Sequence, residues 1–313
     1  MQRLKNWHLF ALCVAVWGTT WHAITYQVGS VAPEVGVALR FGLAGAFVLA
    51  TCSWRGINLR LPRAGHARLA LQGIFLYGVS YVCVYHAERW VPSGLVAVGY
   101  SASPLIAGVG ARVAFGTPLS RRFVAGGAIG LAGVALIFWP ELAAAEGNDA
   151  TLRGAAFTVA AVLLSGVGSL SASRNSVRGL GFWPGMGFGM LYGGAACALI
   201  ALALGRSFAL PVAHSWWLSL AYLALAGSVL AFACFLSLQS RLGPGRAGTV
   251  GVMTPMLALL ISLTLEGFEP TWATLAGALL ALLGNWCILS PTAPPKIAGS
   301  SPLLQKPPRK PPS

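Results

Sequence analysis

Charged residues are scarce in this sequence, and acidic residues are almost missing. Asp and Glu together number 7, Lys and Arg 21, and charged residues make up 9% of the 313 positions. Soluble globular domains carry about 25% charged residues. Here 56% of the residues are hydrophobic and the mean hydropathy is +0.72, which excludes a soluble domain and predicts a membrane protein. The net charge of +14 does not indicate nucleic acid as a partner, because the positive residues are spread over separate segments.

Paired cysteines and catalytic motifs are missing as well. The cysteines all lie in apolar stretches and form no CxxC pair, which excludes a disulfide framework and a metal site. They are Cys13, Cys52, Cys83, Cys197, Cys234 and Cys287. No HExxH, DxD or Ser-His-Asp order is present, so we assign no catalytic residue and expect neither enzymatic activity nor a cofactor. A membrane-embedded enzyme acting on lipid-linked substrates, or a channel, stays open as an alternative.

Ten apolar stretches joined by short loops predict an all-α integral membrane protein with ten transmembrane helices, each near the ~20 residues that cross a bilayer. The predicted spans are 7–28, 33–53, 67–86, 92–114, 121–140, 152–173, 184–204, 216–237, 246–265 and 270–290. The first stretch follows Arg3 and Lys5 but lacks a cleavage site, which indicates an uncleaved span. Residues 291–313 are rich in Pro and Lys and predict a disordered cytoplasmic tail.

Charge alternates with the loops. All 7 acidic residues lie at odd-numbered loops and their helix ends, whereas most basic residues lie at the even-numbered loops and the two termini. Short loops rich in Lys and Arg stay in the cytoplasm. We therefore predict a multi-pass inner-membrane protein with cytoplasmic N- and C-termini, in contact with membrane lipids.

The chain repeats itself at a fixed offset. Pro104 and Pro255 differ by 151 positions, and the same offset maps Gly126 to Gly277 and Gly133 to Gly284. We predict a first five-helix repeat over 1–143 and a second over 144–290, followed by the tail at 291–313. Because five is odd, the second repeat enters the membrane inverted. Inverted repeats are a recurring design of secondary transporters, with the solute site near the bilayer midplane.

Several short motifs resemble the EamA-type transporters of the drug/metabolite transporter superfamily. They are Trp17-Gly18-Thr19-Thr20, Ala38-Leu39-Arg40-Phe41, Tyr85-His86-Ala87, Pro92-Ser93-Gly94-Leu95, Ser103-Pro104, Thr254-Pro255 and Glu266-Gly267. The resemblance implies a secondary transporter that exports amino acids or related small metabolites by alternating access. One position departs from the family pattern, since Gly116 is followed by Thr117 where a glutamate is common.

Arg40 is the one charged residue far from the ends of an apolar stretch, about 10 Å beyond Pro33 along a helix. A charge at that depth is costly and normally faces the protein interior. Its planar guanidinium could hold a carboxylate or phosphate of the solute, or it could serve the architecture alone. The sequence leaves both interpretations open.

Aromatic, hydroxyl and proline positions complete the candidate solute pathway. Besides Arg40, the candidates are Trp17, Trp21, His22, Tyr77, Tyr81, Tyr100, Pro104, Ser169, Tyr192 and Pro255. Spans 1, 3 and 4 with their counterparts 6, 8 and 9 should form the pathway, and the two prolines should kink helices or line the cavity. No Asp or Glu lies in mid-span, which favours facilitated transport or exchange of a small organic solute over proton coupling. A homodimer is left open.

Overall fold

Proline and glycine mark where the apolar stretches become separate helices. A computed structural model describes residues 4–116, 118–143, 149–248, 250–267 and 269–289. Within these ranges the chain is helical and has no strand, apart from one isolated bridge between Val28 and Val31. Pro33 lies in the first turn of its helix, where the missing N–H has no intrahelical partner to lose. Gly116 ends another helix at a φ of 69°, a left-handed conformation that suits glycine.

The helices are numbered in chain order, and consecutive segments without a break share a number. They are α1 (Asn6–Thr25), α2 (Pro33–Trp54), α3 (Arg63–Gly73, Ile74–Val79 and Ser80–Ala87), α4 (Ser93–Gly99, Tyr100–Ala102 and Ser103–Phe115), α5 (Arg121–Ala143), α6 (Asp149–Val177), α7 (Phe182–Ala203), α8 (His214–Tyr222, Leu223–Leu230 and Ala231–Ala247), α9 (Val250–Leu265) and α10 (Trp272–Leu289). Helices thus occupy the predicted apolar stretches. The largest difference is the end of α8, which continues beyond the predicted 237 and passes a non-helical Gly243 with φ 80°.

Six helices of the described chain are long and apolar enough to cross a membrane. They are Pro33–Trp54, Arg63–Ala87, Ser93–Ala114, Asp149–Val177, Phe182–Ala203 and His214–Gly243. Two shorter apolar helices, Met253–Leu265 and Trp272–Ile288, follow them. Large apolar side chains such as Val113 (83% exposed) and Leu218 (72% exposed) point outward, which suits a surface that faces lipid. The fold is that of a multi-pass membrane protein, and the count of ten crossings stays a prediction.

Two helices widen locally into π-helix, and they are the third helix of each predicted half. The π segment of α3 covers Ile74–Val79 and that of α8 covers Leu223–Leu230. Their first residues are 223 − 74 = 149 positions apart, close to the offset of the sequence repeat. Helices that widen in this way often do so at functional sites, because the extra residue redirects side chains and frees backbone carbonyls.

Helices α5 and α10 pack with their backbones in direct contact. A Cβ atom added at Gly126 would lie 2.5 Å from the carbonyl oxygen of Gly284, and one at Gly277 would lie 2.5 Å from that of Gly133. Small residues allow such close approach between helices in lipid. The sequence repeat pairs Gly126 with Gly277 and Gly133 with Gly284. The contact of Gly126 with Gly284 therefore corresponds to the contact of Gly277 with Gly133, with the two helices exchanged.

Candidate functional site

A cavity of about 120 Å³ lies where α1, α3 and α4 meet α6, α8 and α9. Six of the predicted site residues line it: Trp17, Trp21, Tyr81, Tyr100, Ser169 and Pro255. Among the other lining residues, Thr20, Ser103, Ser165 and Thr254 add hydroxyl groups, and Phe232 and Phe235 add aromatic rings. One water needs roughly 10–15 Å³ of such space, so the cavity has room for a small solute. These are the six helices that the sequence assigned to the pathway, and passage of a solute between them stays a prediction.

Aromatic contacts hold the cavity wall in place. The Trp17 indole donates a hydrogen bond from Nε1 to the carbonyl oxygen of Gly227, 3.0 Å away, and its ring meets Phe232 edge-on at 5.0 Å. Gly227 belongs to the π segment of α8, where backbone carbonyls lose their usual helical partners. Trp21 meets Tyr100 edge-on at 5.2 Å. Through Trp17, the wall joins α1 to α8.

Arg40 lies one aromatic ring behind the cavity. It is 0% exposed, and its Nε donates to Ser228 Oγ at 3.0 Å, again in the π segment of α8. Its guanidinium carbon stands 4.7 Å from the centre of the Tyr81 ring and 5.1 Å from that of Phe41. These are cation–π contacts, which gain strength when they are desolvated. Nη1 has no hydrogen-bond partner among the described residues, so one arm of the guanidinium is left for another acceptor.

The other predicted site residues lie outside the cavity lining. Tyr77 is 0% exposed and packs against the rings of Phe41 and Phe232. Pro104 follows the 3₁₀ turn Tyr100–Ala102, where α4 tightens just before the proline, while Pro255 sits inside the regular helix α9. Tyr192, on α7, shares a 2.7 Å hydrogen bond with His66.

His22 lies beyond one end of the cavity, in a cluster built around Glu266. His22 Nδ1 is 3.0 Å from Glu266 Oε1, Ser93 donates its hydroxyl to the same oxygen at 2.6 Å, and Ser262 donates to Oε2 at 2.8 Å. The cluster therefore ties α1 and α4 to the end of α9. Burial raises the pKa of the Glu266 carboxyl, but the hydrogen bonds from Ser93, His22 and Ser262 outweigh it and leave the pKa below its ordinary value.

A second carboxylate at the same end of the molecule is also paired. Glu34, 3% exposed at the start of α2, accepts a hydrogen bond from His86 Nε2 at 2.9 Å. The Nε of Arg206, in the connection between α7 and α8, is 3.6 Å from its other oxygen. Glu34 therefore links α2 to α3 and to the loop that precedes α8.

Neutral amides close the opposite end of the cavity. Gln239 Nε2, on α8, donates to Ser169 Oγ at 3.1 Å and to Ser173 Oγ at 2.8 Å, both on α6. Two residues after Ser173, Asn175 Nδ2 donates to Gln72 Oε1 of α3 at 2.9 Å. Ser169 lines the first cavity, whereas Gln239 and Ser173 line a second cavity of about 540 Å³. The hydrogen bonds of Gln239 therefore lie between the two cavities.

Sequence reasoning missed the roles of Ser93, Ser262 and Gln239. Ser93 and Glu266 each belong to one of the short motifs given above. Both lie at helix ends beside acidic loops, and that position was the available signal that they lie close together. Nothing in the local sequence marks Gln239, because an amide in an apolar helix identifies its partner only after the helices are packed.

The described residues contain no group of three His, Cys, Asp or Glu side chains that could hold a metal ion. Five cysteines are buried and Cys287 is half-buried, and all six are free thiols. The chemistry that this site can offer lies in aromatic contact, hydroxyl and amide hydrogen bonds, and a buried guanidinium.

Comparisons with known proteins agree with the motifs. The profile of the EamA-like transporter family matches the chain twice, over residues 5–139 and 152–290. A protein of Escherichia coli strain K12, named uncharacterized inner membrane transporter YedA, is 30% identical over 266 residues, 83% of this chain and 82% of YedA. PecM of Dickeya dadantii strain 3937 is 27% identical over 261 residues, 83% of each chain.

A crystal structure that is 21% identical shares the fold, with a TM-score of 0.67 over 91% of this chain and 96% of its own. The family profile covers most of the sequence, and the resemblance seen in the short motifs is confirmed. The chain belongs to the EamA-like transporter family of membrane proteins.

Proposed function

We propose that this protein is a secondary transporter that moves a small organic solute, an amino acid or related metabolite, outward across the inner membrane by alternating access. The observation that carries the proposal is the cavity between α1, α3 and α4 on one side and α6, α8 and α9 on the other. A solute held between two matched halves is released to either side when one half rocks against the other.

Three features support two inverted five-helix halves that cross the membrane ten times. The family profile matches the chain twice, α3 and α8 carry π segments at corresponding positions, and α5 and α10 exchange equivalent glycine contacts. Under this arrangement, charge alternation puts both termini in the cytoplasm. The Glu266 cluster then faces outward and the Gln239 hydrogen bonds face the cytoplasm.

Hydrogen-bonded closure at both ends favours a carrier over a channel. The Glu266 cluster joins helices of both proposed halves at one end, and at the other Asn175 of α6 bonds to Gln72 of α3. A channel needs a continuous path, whereas a carrier opens its ends in turn. The walls suit an uncharged or zwitterionic solute with an apolar part, because rings and hydroxyls line the cavity and Arg40 lies just behind it.

Counterflow in proteoliposomes tests the proposal. Vesicles preloaded with one unlabelled solute are assayed for uptake of the same radiolabelled solute, across a panel of amino acids and related metabolites. We expect stimulated uptake for at least one solute. Trp17→Phe, which keeps a ring but loses the hydrogen bond to Gly227, should slow it about fivefold if about 1 kcal/mol is lost from the wall.

Trp7→Phe is the matched control, because Trp7 is on the same helix but 64% exposed. It should leave counterflow unchanged. Flux through the wild type without any stimulation by preloaded solute would favour a channel. Equal effects of the two substitutions would show that the solute does not pass through the cavity.

A further inference from the structure

Glu88 carries a buried carboxyl group that finds no hydrogen-bond donor in the described part of the chain. It follows the last residue of α3, and although the residue as a whole is partly exposed, both of its carboxyl oxygens are buried and have no partner among the described residues. The two other carboxylates near this end differ, since Glu34 and Glu266 both accept hydrogen bonds from neighbouring side chains. A carboxylate that is buried without donors or a counter-charge is strongly disfavoured, so such groups keep their proton.

Charged and titratable groups surround Glu88 from several elements. Glu266, after α9, repels a negative charge there, and Arg40, on α2, attracts one. Glu266 is held by His22 of α1, and on α3 itself Tyr85 lies one turn before Glu88. Burial first, and then Glu266, raise the pKa of the Glu88 carboxyl well above its ordinary value, and Arg40 opposes them only in part.

Arg40 does not bond to Glu88 in this arrangement. Its Nε is bonded to Ser228, its planar face covers Tyr81, and Glu88 has no hydrogen bond to it. A full ion pair would therefore require one of the two side chains to move. The neutral acid is the form of Glu88 that fits the packing around it.

We propose that Glu88 is the proton-binding site of this transporter, loaded with one proton while the Glu266 cluster is closed and exchanging that proton with water when the cluster opens. On opening, the carboxyl O–H bond breaks, the proton passes to water, and the carboxylate that remains is stabilised by water and by Arg40. On closing, Glu88 takes one proton back from water. The place of this proton in a transport cycle rests on the proposed function. Proton binding and closure of the outer end are then linked, so that closure requires a proton.

The site is tested without any solute, by infrared titration of the purified protein in lipid nanodiscs. The carbonyl band of a protonated carboxylic acid should be present at neutral pH, vanish in Glu88→Gln, and remain in Glu269→Gln, which removes an exposed carboxylate from the same end. Glu88→Gln imitates the neutral acid in shape and charge, so it should fold. A wild-type spectrum without the band at neutral pH, or a band that survives in Glu88→Gln, would overturn the proposal.

The link to closure is tested by loosening the cluster. Ser93→Ala removes a donor to Glu266 and should admit water, so Glu88 should lose its proton at lower pH and its band should shift faster in heavy water. Ser30→Ala, an exposed serine in the connection between α1 and α2, is the control and should change neither property. Unchanged titration and exchange in Ser93→Ala would show that protonation is not linked to closure.

Thermal unfolding gives a second readout. The folded protein holds a proton that the unfolded chain loses above the ordinary Glu pKa, so stability should fall as pH rises toward the raised value. Glu88→Gln should remove that slope, and an unchanged slope in that variant contradicts the assignment. None of these measurements needs transport, so a failure to find counterflow would leave their outcome intact, and their failure would leave counterflow unaffected.

Discussion

A single methyl group placed between α5 and α10 should separate them measurably. In Gly133→Ala, the new Cβ would lie 2.5 Å from the backbone nitrogen of Ala281 and 2.6 Å from the carbonyl oxygen of Gly277. Both contacts are about 1 Å shorter than an ordinary van der Waals contact, and both are to backbone, which cannot rotate away. Overpacking of this kind costs roughly 1–3 kcal/mol.

Gly130 provides the matched control on the same helix. A Cβ there would meet nothing within 4 Å, so Gly130→Ala gains only the better helix propensity of alanine, about 1 kcal/mol. The same gain partly offsets the clash at Gly133. The net loss at Gly133 is therefore up to roughly 2 kcal/mol, and the two variants should differ in unfolding free energy by roughly 1–3 kcal/mol, with Gly133→Ala the less stable.

Apparent melting temperature in detergent, followed by tryptophan fluorescence at a fixed heating rate, measures this difference. Gly126→Ala and Gly277→Ala extend the test, because they are equivalent positions with the same 2.5 Å contact to a facing carbonyl. If the halves are inverted copies, the two should lower the melting temperature by similar amounts. Equal melting of Gly133→Ala and Gly130→Ala would refute the close-packed seam.

Three further predictions concern the buried charges and the membrane topology. Arg40→Met should fold about as well as the wild type, since replacing a buried charge by an apolar chain is often neutral or stabilising. Counterflow of carboxylate-bearing solutes should be lost in this variant. Retained counterflow would show that Arg40 has only a structural role. Hydrogen bonds outweigh burial and keep the pKa of the Glu266 carboxyl low. The stability that they give is present above the ordinary Glu pKa of about 4.3 and should disappear as pH falls through the lowered pKa. In Glu266→Gln, the melting temperature should depend less on pH in this range. Epitope tags inserted at Asn148 and after Pro291 should be accessible from opposite sides of the membrane, and detection of both on one side would contradict the inverted repeat.

The sequence predicted where helices form because apolar runs, prolines and glycines are local signals. It also indicated which helices surround the cavity. The offset between Pro104 and Pro255 pairs α4 with α9, and this pairing aligns the other helices of the two halves. Trp17 and Trp21 were accessible to this reasoning because aromatic residues at helical spacing share a face.

Side-chain environments could not be predicted in the same way. Glu34, Glu88 and Glu266 look alike in the sequence, each at a helix end that we predict to face outward. Among the residues that the structure describes, two of them have donors and one has none. The difference depends on which neighbours α4 and α9 bring, a property of packing that no local pattern encodes. The π segments were missed for a related reason, because an inserted residue in a helix leaves the apolar pattern almost unchanged.

The hydrogen bonds at the two ends of the cavity join different sets of helices. Between the two cavities, Gln239 bonds to two serines, and releasing those two hydrogen bonds costs roughly 1–3 kcal/mol. Both bonds come from Gln239 Nε2, so rotation of that one side chain would release them together. If the proposed carrier has its amide end facing the cytoplasm, we expect solute to load more readily from inside, because the Glu266 cluster ties α1, α4 and α9 together at the carboxylate end.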